Sequence, residues 1–292
     1  MSAEGPAASC GFADTSGHCI ASSSPEASGW EKQSWLTHEQ KANLEAARIS
    51  FEAGESEVTH YPLVMDLVLD LRCNLRCVMC NEEPARRSGE TTYDFPFQER
   101  KDTLEEFFRR VVSVVITGGE PSVSPHFEPV MEMLRKADGA RATICTNGQL
   151  LREVILPHRG RIASIHLSVD AATEETYERI RVGGSWNKLR DGLDAVADAL
   201  ADGSLASAYT FNVISRWNYH EMEGMVKLAA SLGMQYLKFD EVREEPGMSI
   251  PELKFRIEDK EAVLSHLEAA ISAAREEGIC LSYSFHTFGL SA

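Results

Sequence analysis

The chain has 292 residues, 43% hydrophobic and 25% charged, enough for one large α/β domain or two small ones. Its 45 acidic and 29 basic residues leave a formal charge of −16, which speaks against nucleic acid or an anionic membrane surface as a partner. No stretch is apolar enough to span a bilayer, and the N-terminus lacks the basic and apolar regions of a secretory signal. The expected compartment is the cytoplasm, where thiols stay reduced and clustered cysteines read as metal-binding or catalytic.

Residues 1–34 are rich in Ser, Ala, Gly and Pro, the composition of a disordered or weakly ordered leader, and Cys10 and Cys19 within it read as incidental thiols. Residues 35–61 hold an amphipathic helix (36–55, with Thr37 as N-cap and Gly54 near its end) and a lead-in. From 62 to 257 strand and helix patterns alternate. Strands are expected over 63–72, 111–117, 141–146, 163–169, 207–214 and 235–242. Helices are expected over 101–110, 125–137, 149–157, 173–180, 186–201 and 218–232. Residues 258–292 form a closing helix (258–277) and a short edge strand (279–285). Six βα units in sequence imply a parallel sheet with helices outside.

The chemistry-bearing residues fall at one end of this scheme. Cys73 follows the first strand, TGGEP (117–121) ends the second, TNG (146–148) the third and SVD (168–170) the fourth. Asn212 and Asp240 lie near the ends of the fifth and sixth. In barrel-like βα folds the loops after the strands build the active site. Alternation turns Asp66, Asp70, His166, Ser168, Asp170, Lys238 and Asp240 to the interior or mouth, and their apolar neighbours under the helices.

Cys73, Cys77 and Cys80 form a C-x3-C-x2-C run without a fourth cysteine close by. A zinc site needs a fourth ligand, and His60 is thirteen residues upstream. Redox chemistry of Cys77 and Cys80 leaves Cys73 unexplained. Incidental core thiols rarely fall at this spacing in a polar loop. An iron–sulfur cluster on three thiolates would leave one iron open to a small-molecule ligand.

Together with Met79, GGEP (118–121), TNG (146–148) and LSVDAATEETYERIRVGG (167–184), this run resembles the radical S-adenosylmethionine (SAM) superfamily over about residues 62–242. The resemblance implies a partial (β/α)6 TIM-like barrel. It also implies a [4Fe–4S] cluster on Cys73, Cys77 and Cys80 whose open iron is chelated by SAM. One-electron reduction would then yield a 5′-deoxyadenosyl radical that abstracts hydrogen from a substrate. Met79 is expected at the cofactor. Gly118 and Gly119 would let the backbone approach the SAM amino group, and Glu120 would suit its charge. Ser168 and Asp170 would bind the SAM carboxylate or ribose, with Asn147 and Asn212 as further candidates, and Arg181 would pair with the carboxylate.

The 170–196 segment resembles the branch that usually carries a cysteine-rich SPASM or twitch extension, but only Cys280 follows Asp240, so no C-terminal auxiliary cluster is expected. The expected reaction is hydrogen abstraction from a small polar metabolite, such as a sugar or natural-product intermediate, leading to epimerisation, dehydration or oxidation. A peptide-modifying maturase and a non-catalytic cluster carrier are the alternatives. The implied partners are that substrate and a low-potential electron donor such as flavodoxin or ferredoxin. Cys145 or Cys280 could return hydrogen to a substrate radical, while Lys238, Asp240 and His166 are substrate-side acid–base candidates. The mouth needs a cover from the N-terminal segment, residues 244–257 or residues 279–292.

Overall fold

The computed structural model describes residues 34–80, 93–244 and 250–291. Cys10 and Cys19 lie outside the described residues. The strands are β1 (Val64–Val68), β2 (Ser113–Thr117), β3 (Arg141–Thr146), β4 (Ile162–Ser168), β5 (Ser207–Ile214), β6 (Tyr236–Glu241), β7 (Cys280–Phe285) and β8 (Leu290–Ser291). They form one sheet in chain order. Six successive pairings from β1 to β7 are parallel, and β8 returns antiparallel to β7. No described strand joins β8 back to β1, so this α/β barrel is partial.

Period-two patterning decides which face is core. Leu67, Val114, Ile116, Ala142, Ile144, Ile165, Leu167, Leu237 and Phe239 are at most 4% exposed. They pack in one cluster with helix residues such as Phe108, Leu134, Leu193, Val226 and Leu267. Each fully buried large side chain of this kind contributes about 1.5–3 kcal/mol. The helices supplying that layer are α2 (Phe97–Phe108), α3 (Phe127–Ala137), α5 (Trp186–Ala201), α6 (Met222–Ser231) and α7 (Lys260–Glu277). A short α4 (Glu174–Ile180) lies between β4 and α5.

Local signals place several ends as expected. Helix α1 (His38–Ala53) has Thr37 and Gln40 in a reciprocal capping box and ends at Gly54 in the left-handed region, φ 65. Its Gln40 Nε2 donates to the Val111 carbonyl at 2.8 Å, tying the helix to the entry of β2.

Two expectations need correction. Residues 149–157 do not form an α-helix: a π turn over Leu151–Ile155 runs into a 3-10 turn over Leu156–Arg161. Pro157 lacks the N–H that would continue an α-helix. The first strand ends at Val68, because residues 69–72 pair instead with the GGEP turn and with Tyr93–Phe95.

Candidate active site

The cysteine loop leaves β1 and is clamped from two sides. On one side Gly119 N donates to Asp70 O at 2.9 Å and Glu120 N to Arg72 O at 2.7 Å. A Cβ on Gly119 would lie 2.5 Å from Leu71 O and closer still to Arg72 O, and one on Gly118 would overlap Asp70 O. The glycines therefore let two protein backbones touch, a need the expected ligand role did not include. On the other side Arg76 N donates to Val182 O at 2.9 Å and Val78 N to Ile180 O at 3.0 Å. The RIRVGG stretch thus serves as a docking strand for the loop.

Cys73, Cys77 and Cys80 are all half-buried, and burial pushes the Cys77 thiol up while the charge of Arg181 pulls it down. Among the described residues, ligand atoms converge within 4.8 Å at Asp70, Asp94 and His126 and not at the three cysteines. Four thiolates on one zinc, with 2.3 Å bonds, would stand only ~3.8 Å apart. Thiols that do not converge within 4.8 Å are too far apart for a single zinc. The Asp70–Asp94–His126 group already holds a cation, since Arg72 Nη1 reaches Asp70 at 2.8 Å and Nη2 reaches Asp94 at 3.0 Å. Met79 and Val78 pack beside Val242, Ile250, Leu253 and Trp217. Part of the expected 244–257 cover therefore does lie over the loop.

Glu120 has a structural role that its expected one did not include. It is 2% exposed, and its oxygens accept from Ser122 N (3.1 Å), Ser122 Oγ (2.6 Å), Thr146 Oγ1 (2.8 Å) and Asn147 N (2.7 Å). This carboxylate ties the end of β2 to the end of β3, with three bonds on Oε1 and one on Oε2. Asn147 Nδ2 in turn donates to Asn74 Oδ1 at 2.8 Å and points at Cys73 Sγ at 3.9 Å, so it braces the loop.

Beyond β4 lies a buried knot. Asp170 is fully buried with φ 62, a left-handed position for a non-glycine residue. Its N–H donates to Asn212 Oδ1 at 3.1 Å, and its Oδ1 accepts from Val213 N at 2.7 Å. Its Oδ2 forms an ion pair with Arg181 Nη2. Asn212 is completely buried and also donates to Thr210 Oγ1 and Lys238 O. It supports Asp170 from below. Asn218, which the sequence reading missed, donates to Asp170 O at 2.8 Å and Val213 O at 2.9 Å. An asparagine four residues after a strand carries no signal of this until the strand ends are adjacent. Ser168 turns to the interior, half-buried beside Phe211 in the register.

The donor set fits the expected group. Three free, half-buried thiols lie on the one loop that leaves β1, and Arg181 Nε is buried with no hydrogen-bond partner, a donor suited to a carboxylate.

Lower in the barrel, Cys145, His166 and Tyr209 are successive register partners. His166 Nδ1 is 2.8 Å from Tyr209 Oη and 3.5 Å from Cys145 Sγ. Burial pushes the His166 imidazole down to about 3, so it is neutral at pH 7. An unfolded histidine titrates near 6.5. This group therefore favours the folded state fully above about pH 6.5, and that contribution is lost as pH falls toward 3. Urea-unfolding midpoints should fall between pH 7 and pH 5 less in His166→Gln than in the wild type, with up to about 1.4 kcal/mol per pH unit at stake. Equal falls in both proteins would contradict this assignment.

Lys238 and Asp240 both face inward from β6, 3.7 Å apart, with Ser282 and Ser284 as their β7 neighbours. Asp240 Oδ1 is buried without a hydrogen-bond partner. Cys280, by contrast, opens β7 opposite Tyr236 at the foot of the sheet, away from the cysteine loop. Cys145 is the thiol candidate on the interior face nearer the cysteine loop.

A parallel partial barrel with three thiols over its mouth is the architecture of an enzyme that generates radicals from SAM. The radical SAM superfamily model matches residues 69–229, and the chain belongs to that superfamily, whose members use a [4Fe–4S] cluster and SAM. A GTP 3′,8-cyclase of Rhodopirellula baltica is 28% identical over 178 residues, covering 58% of this chain and 48% of the relative. The chain thus spans about half the length of the curated relatives it matches. Streptococcus suis SuiB superposes with a TM-score of 0.61 at 17% identity, over 84% of this chain and 55% of SuiB. Native anSMEcpe, solved with bound AdoMet and the Kp18Cys peptide, gives 0.56 at 19% identity over 76% of this chain and 64% of its own. These likenesses show the shared fold.

Proposed function

We propose that this radical SAM enzyme abstracts a hydrogen atom from a small polar metabolite, such as a sugar or natural-product intermediate, leading to epimerisation, dehydration or oxidation. The observation that carries the reading is the interior wall, where Lys238 and Asp240 stand beside Ser282 and Ser284, with Ser168, Tyr209 and Tyr236 on the same face. Hydroxyls and one ion pair suit a hydroxylated ligand. Among the described residues, the inward positions of β6 set the cation Lys238 beside the carboxylate Asp240, while Arg141, at the start of β3, is stacked on Trp35 at the far end of the strand, a poor match for the triphosphate in the curated relatives' name.

When bound, the cluster and SAM supply one-electron sulfonium cleavage and a hydrogen-abstracting radical. The chain's own residues hold and shield: Arg181 Nε stands ready for a carboxylate, the 250–253 segment covers the loop, and Asp240 Oδ1 lacks a donor that a substrate hydroxyl can provide. Cys145 can return hydrogen to the substrate, and a low-potential donor of the flavodoxin or ferredoxin type supplies the electrons.

The test uses reconstituted enzyme, SAM and dithionite. The low-molecular-mass fraction of a cell extract should raise 5′-deoxyadenosine formation several-fold. Stimulation by the peptide fraction alone would overturn the small-molecule reading in favour of a maturase.

A further inference from the structure

Arg181 is 9% exposed and makes two contacts of different kinds. Its Nη2 pairs with Asp170 Oδ2, and its Nη1 donates to Cys77 Sγ at 3.5 Å. The first contact fixes the second. Asp170 cannot shift, because Asn212, Asn218 and the Val213 amide hold its backbone and its other carboxylate oxygen. The Ile180 and Val182 carbonyls, either side of Arg181, accept from Val78 and Arg76, either side of Cys77. Guanidinium and thiol are therefore held together by two independent sets of hydrogen bonds.

We infer that Arg181 sets the reduction potential of the cluster: its guanidinium donates to the sulfur of the Cys77 ligand and raises the potential, and Asp170 is the positioning residue that aims it. A thiolate ligand carries negative charge that grows when the cluster takes an electron. A buried cation donating to that sulfur stabilises the reduced form more than the oxidised one. The same geometry leaves Nε, the third edge of the guanidinium, for the carboxylate of SAM. One side chain would then touch both the electron-accepting cluster and the molecule that receives the electron.

The test is an EPR-monitored redox titration of the reconstituted cluster, with and without SAM, in wild type, Arg181→Met and Arg181→Lys. Without SAM, Arg181→Met should make the cluster about tenfold harder to reduce, a shift of 59 mV for a one-electron couple. Arg181→Lys keeps a cation for buried Asp170 and so preserves the fold, but it cannot reach both partners, and its potential should also fall. A wild-type potential in Arg181→Lys with full iron content would overturn the inference. So would a shift seen only with SAM present, which would make Arg181 a SAM ligand alone.

Discussion

Cys77→Ala protein should purify colourless, with iron falling from about four atoms per chain to background after reconstitution. Its 5′-deoxyadenosine formation should fall by at least ~10³-fold, because catalysis by the cofactor is lost outright. The fold should survive. Cys77 is half-buried and, among the described residues, its sulfur takes the Arg181 hydrogen bond alone, so the change should cost less than about 1.5 kcal/mol. Cys73→Ala and Cys80→Ala should behave alike, since three thiolates share one cluster. A variant that kept its iron and its SAM cleavage would show that the triad is not the ligand set. Normal circular dichroism and melting temperature are the controls that separate lost cofactor from lost fold.

Gly119→Ala should do the reverse and damage the scaffold first. The added methyl would stand 2.5 Å from Leu71 O and closer to Arg72 O, and both are backbone atoms that no rotamer change can move. Relief requires the GGEP turn and the cysteine loop to separate, breaking the Gly119–Asp70 and Glu120–Arg72 hydrogen bonds. The expected cost is about 3 kcal/mol or more, in the range of overpacked cores and broken buried networks. The measurement is the urea midpoint together with iron content, both of which should fall. Gly160→Ala is the matched control: a Cβ there meets nothing within 4 Å, and stability should stay within about 0.5 kcal/mol. Equal stability of the two variants would mean that the turn and loop are not packed as described.

Strand order, the end of the sheet that carries the chemistry and the identity of the three thiols were legible from residues alone. Period-two alternation and one chemical motif per strand end are local signals. A thiol triplet also keeps its meaning whatever surrounds it. Helix ends were legible where a cap specified them, as at Thr37 and Gly54. They were not where a proline broke an apolar run, as at Pro157. Roles within the site were read less well, because a polar side chain at a strand end has several uses. Glu120 faces Thr146 and Asn147 across a strand gap and bonds to both; Asn212 bonds to Asp170. Cys145 and Cys280 read alike as lone strand thiols, yet register puts one beside His166 and the other at the foot of β7.

What the sequence by itself determined is the chemistry: three cysteines at fixed spacing and a series of polar strand ends commit the chain to a cofactor-bearing βα barrel. Only the tertiary structure decided which polar groups remain for ligand and which hold the protein together. That allocation depends on partners far apart in sequence, such as Arg181 on Cys77, Asn218 on Asp170 and Gly119 against Leu71. Each buried donor or acceptor must be satisfied by whatever the fold brings near. A carboxylate bonded by its neighbours braces the scaffold, and a donor left unsatisfied, such as Arg181 Nε, is what a ligand can take.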